Sequence, residues 1–332
     1  MNLLILGGTA FLGRHLVDAA LRLGHTITLF NRGKTNANLY PQIETLIGDR
    51  STGDLQALKG RRWDAVIDTC GYVPRIVAES VALLAPNIQH YTFISTCSVY
   101  ADMNEVGITE DSDTVTLDDP SVEDVSGETY GGLKYLCERA VKQVLPQQTL
   151  IIRPGLIVGP YDGSDRFTYW PHRVAQGEEI LAPDHPNRLV QIIDARDLAE
   201  WTLRLVADQI KGIFNAVGPK SPLTIGNLLN TCLEEINVDA KLTWVDEAFL
   251  IENEVGPYVE LPLWLPKAFE GLAQVSHTKA LQHGLTFRPL ATTIRDTYAW
   301  HRKKPDTATL KAGLTTEREE TLLHLWRAAN HP

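Results

Sequence analysis

The chain has 332 residues, enough for one large or two modest domains and for burial of most of its apolar surface. Hydrophobic residues make up 44% and charged residues 22%, which excludes a disordered or fibrous chain. The formal net charge of −10 disfavours nucleic acid as a partner, because phosphate neutralisation by cations supplies most nonspecific affinity for it.

Residues 2–6 read as a fully buried strand. The run Leu3-Leu4-Ile5-Leu6 is too short for a signal peptide or a membrane span, so a cytoplasmic protein without membrane association is expected. After a glycine turn, Phe11, Leu12, Leu16, Val17, Ala20, Leu21 and Leu23 recur at helical spacing, and Gly24 closes that helix. Short apolar runs follow at Thr26–Phe30, Ile43–Ile47, Ala65–Asp68, Tyr91–Ser95 and Leu150–Arg153, with helical periodicity over Pro74–Leu84 and Tyr130–Val144. Strands alternating with helices predict a parallel sheet with right-handed crossovers. The acidic, Ser/Thr/Gly-rich stretch from Ala101 to Glu128 predicts a long surface excursion between a strand and a helix. Farther on, Gly212–Val217 and Lys241–Val245 are strand-like, and Thr224–Ile236, Leu290–Arg302 and Thr315–Ala329 are helical. Cys70, Cys97, Cys137 and Cys232 form no C-x-x-C pair and have no histidine at zinc-ligand spacing, so reduced, mostly buried thiols and no metal site are expected.

The turn Gly7-Gly8-Thr9-Ala10-Phe11-Leu12-Gly13 joins the first strand to the first helix. Small residues there let the backbone approach a pyrophosphate, and the helix N-terminal amides can receive its charge, as in a Rossmann unit. Gly7 and Gly13 hold the outer positions of a G-x-x-G-x-x-G spacing whose middle position is Ala10. The second strand ends at Phe30-Asn31-Arg32-Gly33-Lys34, where an NAD-selective site would place a carboxylate for the ribose hydroxyls. Asn31 in that place leaves room for a 2′-phosphate, which Arg32 can grip with its planar fork and Lys34 with a point charge. NADP(H) is therefore favoured over NAD(H), against the plainer reading of both cations as solvated loop residues. Asp49, after the third strand, either faces adenine or caps the next helix.

Tyr130 and Lys134 lie four apart in a helical pattern and so share a face, where the ammonium can lower the phenol's pKa for acid–base work. A surface aromatic–cation contact is the plainer alternative. Ser95-Thr96-Cys97-Ser98 places hydroxyls at the C-terminal end of a strand, the edge where open α/β sheets bind ligands.

Taken in order, Gly7–Gly13, Ser95–Tyr100, Tyr130–Lys134, Arg153–Pro160, Ile193–Ala199 and the Lys279–Pro289 stretch resemble the extended or atypical short-chain dehydrogenase/reductase superfamily, in its NAD-dependent epimerase/dehydratase branch, over nearly the whole chain. The resemblance implies that Tyr130 is the general acid/base, Lys134 holds the nicotinamide ribose and tunes the phenol, Thr96 fills the catalytic Ser/Thr position, and the segment from Pro154 onward lines the nicotinamide pocket. It also suggests a homodimer packed through sheet-flanking helices. Cys97-Ser98 stands where sugar-nucleotide 4,6-dehydratases carry Asp-Glu, and Leu156 and Val190 stand where sugar-nucleotide epimerases carry asparagine and arginine. Those departures point to a smaller or less charged substrate, with Arg188 nearby as a partial substitute. Asp165, Arg166, Tyr169, Trp170, His172 and Arg173 follow the expected nicotinamide pocket and are candidate substrate contacts, with domain packing as the alternative.

The expected protein is α/β: a doubly wound parallel sheet over residues 1–155, and a smaller mixed α/β substrate-binding part over 156–332, some of whose segments return to the sheet. The expected function is NADP(H)-dependent hydride transfer to or from a carbonyl or secondary alcohol of a small molecule. An epimerase with retained cofactor, and a dinucleotide-sensing or RNA-binding member without catalysis, are the alternatives.

Overall fold

The computed structural model describes residues 1–236, 239–305 and 309–330. Six strands of the first half, β1 (Asn2–Leu6), β2 (Thr26–Asn31), β3 (Glu44–Ile47), β4 (Ala65–Asp68), β5 (His90–Ile94) and β6 (Thr149–Pro154), are joined by a strand from the second half. Between them in the chain come β7 (Leu156–Val158), β8 (Glu178–Pro183), β9 (Leu189–Val190) and β10 (Ile192–Asp194); the seventh sheet strand is β11 (Gly212–Ala216). The sheet order is β11-β6-β5-β4-β1-β2-β3, and every pairing in it is parallel. Winding reverses direction between β1 and β4, which opens a crevice at their C-terminal ends.

Because a parallel sheet is covered on both faces, its strands carry apolar side chains on both. In β1, Leu3 and Ile5 enter one layer while Leu4 and Leu6 enter the other. The first layer is closed by α1 (Phe11–Arg22) and α5 (Ala195–Ala207), which pack together. The second is closed by the mutually packed α2 (Pro74–Leu84) and α3 (Tyr130–Val144). No periodicity marked α5 in the sequence; it is known by its amphipathic burial, with Leu198, Trp201 and Leu205 in the core and Asp194 capping its first turn.

A separate core lies in the second half. It joins α4 (Tyr169–Ala175), α6 (Ile225–Ile236), α7 (Leu290–His301) and α8 (Thr316–Asn330) with the parallel pair of β8 and β12 (Ala240–Val245). Residues 101–128 are mostly exposed coil, yet they are anchored: Ile108 is fully buried and its carbonyl accepts from the Ser276 amide at 2.8 Å. The four cysteines are free thiols, three of them buried and Cys70 half-buried. Among the described residues no helix is long and apolar enough to cross a membrane, and no His/Cys/Asp/Glu cluster could hold a metal ion.

Two buried ion pairs tie the layers to the sheet. Arg50 forks onto Asp68 with both contacts at 2.8 Å, and the Tyr91 hydroxyl donates to the same carboxylate at 2.9 Å. Arg153, on β6, forks onto Glu138 of α3 at 2.9 and 2.7 Å, and the Ser95 hydroxyl at the end of β5 donates to Glu138 at 2.5 Å. Both members of this second pair are almost wholly buried, so removing one leaves an uncompensated charge in a low dielectric. Glu138→Ala is expected to lower the unfolding free energy by about 3–5 kcal/mol. Glu200→Ala, at the exposed pair with Arg22, should change it by less than about 1 kcal/mol. Denaturant unfolding of the two variants side by side checks both.

Candidate functional site

A cavity of 580 Å³ runs along the C-terminal edge of the sheet, from the glycine turn after β1 past the ends of β2, β4 and β5 to Tyr130 and Lys134. Its shape at the first end is set by missing side chains. Gly7 and Gly8 have φ of +105° and +91°, and a Cβ on Gly13 would lie 2.8 Å from the Gly8 amide nitrogen, so the helix can seat this close to the strand only without one. Ala10, the N-cap of α1, is extended and offers no side-chain acceptor. The first amides of α1, at Phe11, Leu12 and Gly13, thus line the cavity without a capping side chain, which suits them to an anion. Thr9 and Ala10 line the same end.

Asn31 lines the cavity and also fastens it. Its Nδ2 donates to the Gly7 carbonyl at 3.3 Å and its Oδ1 accepts from the Gly33 amide at 2.8 Å, which ties the end of β2 to the glycine turn. Arg32 and Lys34 are exposed, line the cavity, and have no ion-pair partner among the described residues. Asp49 does cap the following 3-10 turn, accepting from the Ser51 amide at 3.0 Å and the Ser51 hydroxyl at 2.7 Å. Those bonds hold its carboxyl below the usual range, with Arg32 and Lys34 adding to the effect, and it too lines the cavity.

At the other end, α3 presents Tyr130, Lys134 and Glu138 along one stripe at four-residue intervals. Lys134 is 3% exposed, and its ammonium donates to the carbonyls of Gly71 at 2.7 Å and Ile94 at 2.6 Å, above the Phe93 ring at 4.3 Å. Burial lowers its pKa to about 8. Burial raises the Tyr130 phenol, and the Thr96 hydroxyl and the Arg166 guanidinium oppose that rise. The Lys134 ammonium, expected to tune the phenol, is turned toward these two backbone carbonyls. Thr96 lines the cavity beside Tyr130, with its Oγ1 accepting from the Ser98 amide at 3.1 Å. Pro154, Gly155 and Ile157 form the wall beyond.

The candidate substrate contacts separate into two groups. Tyr169 and Trp170 are buried in the second core, where they meet edge to face at 4.9 Å and the indole donates to the Pro262 carbonyl. Arg173 is held by Glu319 at 2.6 Å and by the carbonyls of Gly177 and Glu179. Arg188 is held by Asp184, Glu247 and the Leu265 carbonyl. Asp165 pairs with Lys304, and His172 bonds to His301. None of these lines the cavity: Tyr169 and Trp170 pack in the second core, and the others are engaged by the partners just named. Arg166 does not line the cavity either; its guanidinium lies over the Tyr258 ring, with Cζ 5.0 Å from the centroid.

Thr69, Cys70 and Tyr72 were not foreseen. They line the cavity from the end of β4, with the Tyr72 ring 6.5 Å from that of Tyr130. The rule that ligands bind beyond the C-terminal ends of parallel strands pointed there, but no motif marked the individual residues.

A parallel seven-stranded sheet with this order, a glycine cradle at its switch point and a Tyr-x-x-x-Lys helix beside the cavity define a Rossmann-type protein of the short-chain dehydrogenase/reductase kind. The chain belongs to the NAD dependent epimerase/dehydratase family, whose profile matches residues 3–80 and 71–216. It is 26% identical over 248 residues to the chloroplast stem-loop binding protein of 41 kDa b from Arabidopsis thaliana, covering 70% of this chain and 62% of that one. It is 25% identical over 173 residues to a UDP-glucose 4-epimerase of Neisseria meningitidis, covering 43% of this chain and 48% of that one. The chain therefore spans less than two thirds of the length of these curated relatives. Among solved structures, the Bordetella bronchiseptica enzyme WbmH in complex with NAD+ superposes with a TM-score of 0.67 at 15% identity, over 91% of this chain and 98% of that one. The human epimerase family protein SDR39U1 (isoform 2) with NADPH does so with a TM-score of 0.62 at 18% identity, over 90% of this chain and 99% of that one. Both share the fold.

The depressed Lys134 has a consequence for stability. In the unfolded chain it titrates near 10.5 and in the native state at about 8, so between those values the unfolded state binds the extra proton. Native stability from this group therefore rises with pH from about 8 to 10.5, by about 3 kcal/mol in full. In Lys134→Met that rise should vanish, which denaturation curves for the two proteins across this pH range will show.

Proposed function

We propose that this protein is an NADP(H)-dependent oxidoreductase acting on a carbonyl or secondary alcohol of a small molecule. The observation that carries the reading is the pair of exposed cations, Arg32 and Lys34, which have no ion-pair partner among the described residues and line the end of the cavity opposite Tyr130. No carboxylate at the end of β2 claims the ribose hydroxyls, and Asn31 is occupied by the glycine turn, so that end favours a 2′-phosphate. The residues present fit such a cofactor. Gly7, Gly8 and Gly13 leave room for a pyrophosphate, the amides of Phe11, Leu12 and Gly13 supply donors, and the cavity spans from there to the helix bearing Tyr130.

When bound, the dinucleotide supplies a nicotinamide that exchanges hydride with a substrate carbon. The chain's own residues would do the rest. The ammonium of Lys134 has three donors and uses two on Gly71 and Ile94, which leaves one for the nicotinamide ribose. Tyr130, its phenol raised by burial, is protonated at neutral pH and suited to deliver a proton to a carbonyl oxygen; Thr96 would hydrogen-bond the same oxygen. Pro154, Gly155 and Ile157 exclude water from one wall.

Calorimetric titration with NADPH and NADH tests the cofactor claim. NADPH should bind more tightly, and Arg32→Ala should weaken it about 10–100-fold while leaving NADH unchanged, as expected for a lost charge-assisted contact to phosphate. Equal or tighter binding of NADH would overturn the NADP assignment. Oxidised dinucleotide released on denaturing the purified protein would favour an epimerase that retains its cofactor. Tyr130→Phe should leave NADPH affinity intact while lowering NADPH turnover with an active carbonyl compound by about 10²–10⁴-fold.

A further inference from the structure

The charges that line the cavity are unevenly placed along the sheet edge. Arg32, Lys34, Asp49 and Arg50 follow β2 and β3, whereas Tyr130 and Lys134 stand by the end of β5, on the other side of β1 in the sheet order. At the Tyr130 end the charged lining group is the Lys134 ammonium. Two of its three donors are spent on the Gly71 and Ile94 carbonyls, and the third is the one left for the nicotinamide ribose. The wall around it is otherwise built from Tyr72, Val73, Ile94, Pro154 and Ile157, with the Thr96 hydroxyl among them. An ionised substrate group set against that wall would lose water without gaining a free counter-charge, so the wall selects against one.

Tyr72 is held in this wall from both sides along the chain. A Cβ on Gly71 would lie 2.6 Å from the Phe93 ring and 2.8 Å from the Val77 side chain, so the backbone runs this close to the core only because a glycine stands there. The Gly71 carbonyl is in turn gripped by the Lys134 ammonium at 2.7 Å. Immediately after Tyr72, Val73 caps α2 and Pro74 opens it. The backbone is thus fixed while the ring stays uncovered: Tyr72 is 45% exposed. Its centroid is 6.5 Å from that of Tyr130, with the two rings tilted by 36°, and 5.2 Å from the Lys134 nitrogen. An aromatic face left open in a cavity wall is apolar area that a ligand can cover.

We propose that Tyr72 is a specificity-determining residue whose ring packs against a planar, apolar substituent of an uncharged carbonyl substrate while the carbonyl oxygen faces Tyr130. This rests on the oxidoreductase reading above. It narrows the substrate class to uncharged aldehydes and ketones, or the matching alcohols, that carry an aromatic or conjugated group beside the reacting carbon. Such a group projects away from the oxygen held at Tyr130, and the neighbouring ring within reach is that of Tyr72.

The test uses the full chain, with NADPH binding followed by calorimetry and NADPH oxidation followed with benzaldehyde, isobutyraldehyde and pyruvate as probes. The wild type should reduce benzaldehyde with a kcat/KM about tenfold or more above that for either of the others. Tyr72→Ala should lower the benzaldehyde-to-isobutyraldehyde ratio by about tenfold, chiefly through KM, while Tyr72→Phe, which keeps the ring, retains the ratio. Both variants should bind NADPH as the wild type does. An unchanged ratio in Tyr72→Ala, a preference for pyruvate, or no reduction of benzaldehyde by the NADPH-loaded wild type overturns this inference and leaves the cofactor reading standing. A loss of NADPH affinity in Tyr72→Ala as large as the loss of benzaldehyde turnover assigns the ring to the cofactor and overturns it as well. Failure of the wild type to bind NADPH overturns the cofactor reading and this inference with it.

Discussion

The buried carboxylate of Glu138 sets the position of the helix on which the site depends. It sits on α3 and is gripped by Arg153 from β6 and by Ser95 from β5, so the helix cannot slide or rotate over the sheet without leaving a charge unpaired in the core. Tyr130 and Lys134 lie eight and four residues earlier on the same stripe, and their positions follow from that anchor. Arg153 extends the constraint, donating to the Tyr100 hydroxyl at 3.1 Å, which in turn donates to Asn215 on β11 at 2.5 Å. One connected network thus links α3, β5, β6 and the edge strand contributed by the second half of the chain.

The cavity inherits its polarity from how charges are distributed around this frame. In a chain with a net charge of −10, most interior acids are consumed by arginines, so the cations left over have local significance. Arg32 and Lys34 stand at one end of the cavity, and the Lys134 ammonium at the other. Between them the backbone supplies the donors, from the uncapped start of α1. The cavity runs along the sheet edge, with Tyr130, Lys134 and Thr96 gathered where α3 meets the end of β5.

Much of this was legible in the amino-acid order. The first strand, glycine turn and first helix are short-range features, and their marks are short-range: an apolar run, glycines where φ must be positive, and a helical period. The four-residue spacing of Tyr130 and Lys134 defines a shared helix face in any context. Helix α5 left a weaker mark because its motif, Asp194-Ala195-Arg196-Asp197, opens with charged residues whose role is to cap the helix and pair with Arg288, and only the burial of the residues behind them reveals the element. The cavity residues Thr69, Cys70 and Tyr72 belong to a loop whose composition says nothing of its neighbours; β4 carries them to the switch point.

What the sequence by itself determined is therefore the Rossmann framework, the glycine turn after its first strand, and the shared helix face of Tyr130 and Lys134, because backbone conformation and helical phase depend on residues close together in the chain. What only the tertiary structure decided is which polar side chains remain free for a ligand. Arg173, Arg188 and Arg166 look alike in sequence, but Arg173 meets Glu319, 146 residues away, Arg188 meets Glu247, 59 residues away, and Arg166 meets an aromatic ring instead of an acid. Ion pairing is a contest among groups distant in the chain, and its outcome is fixed only when packing brings some of them within reach and leaves others apart.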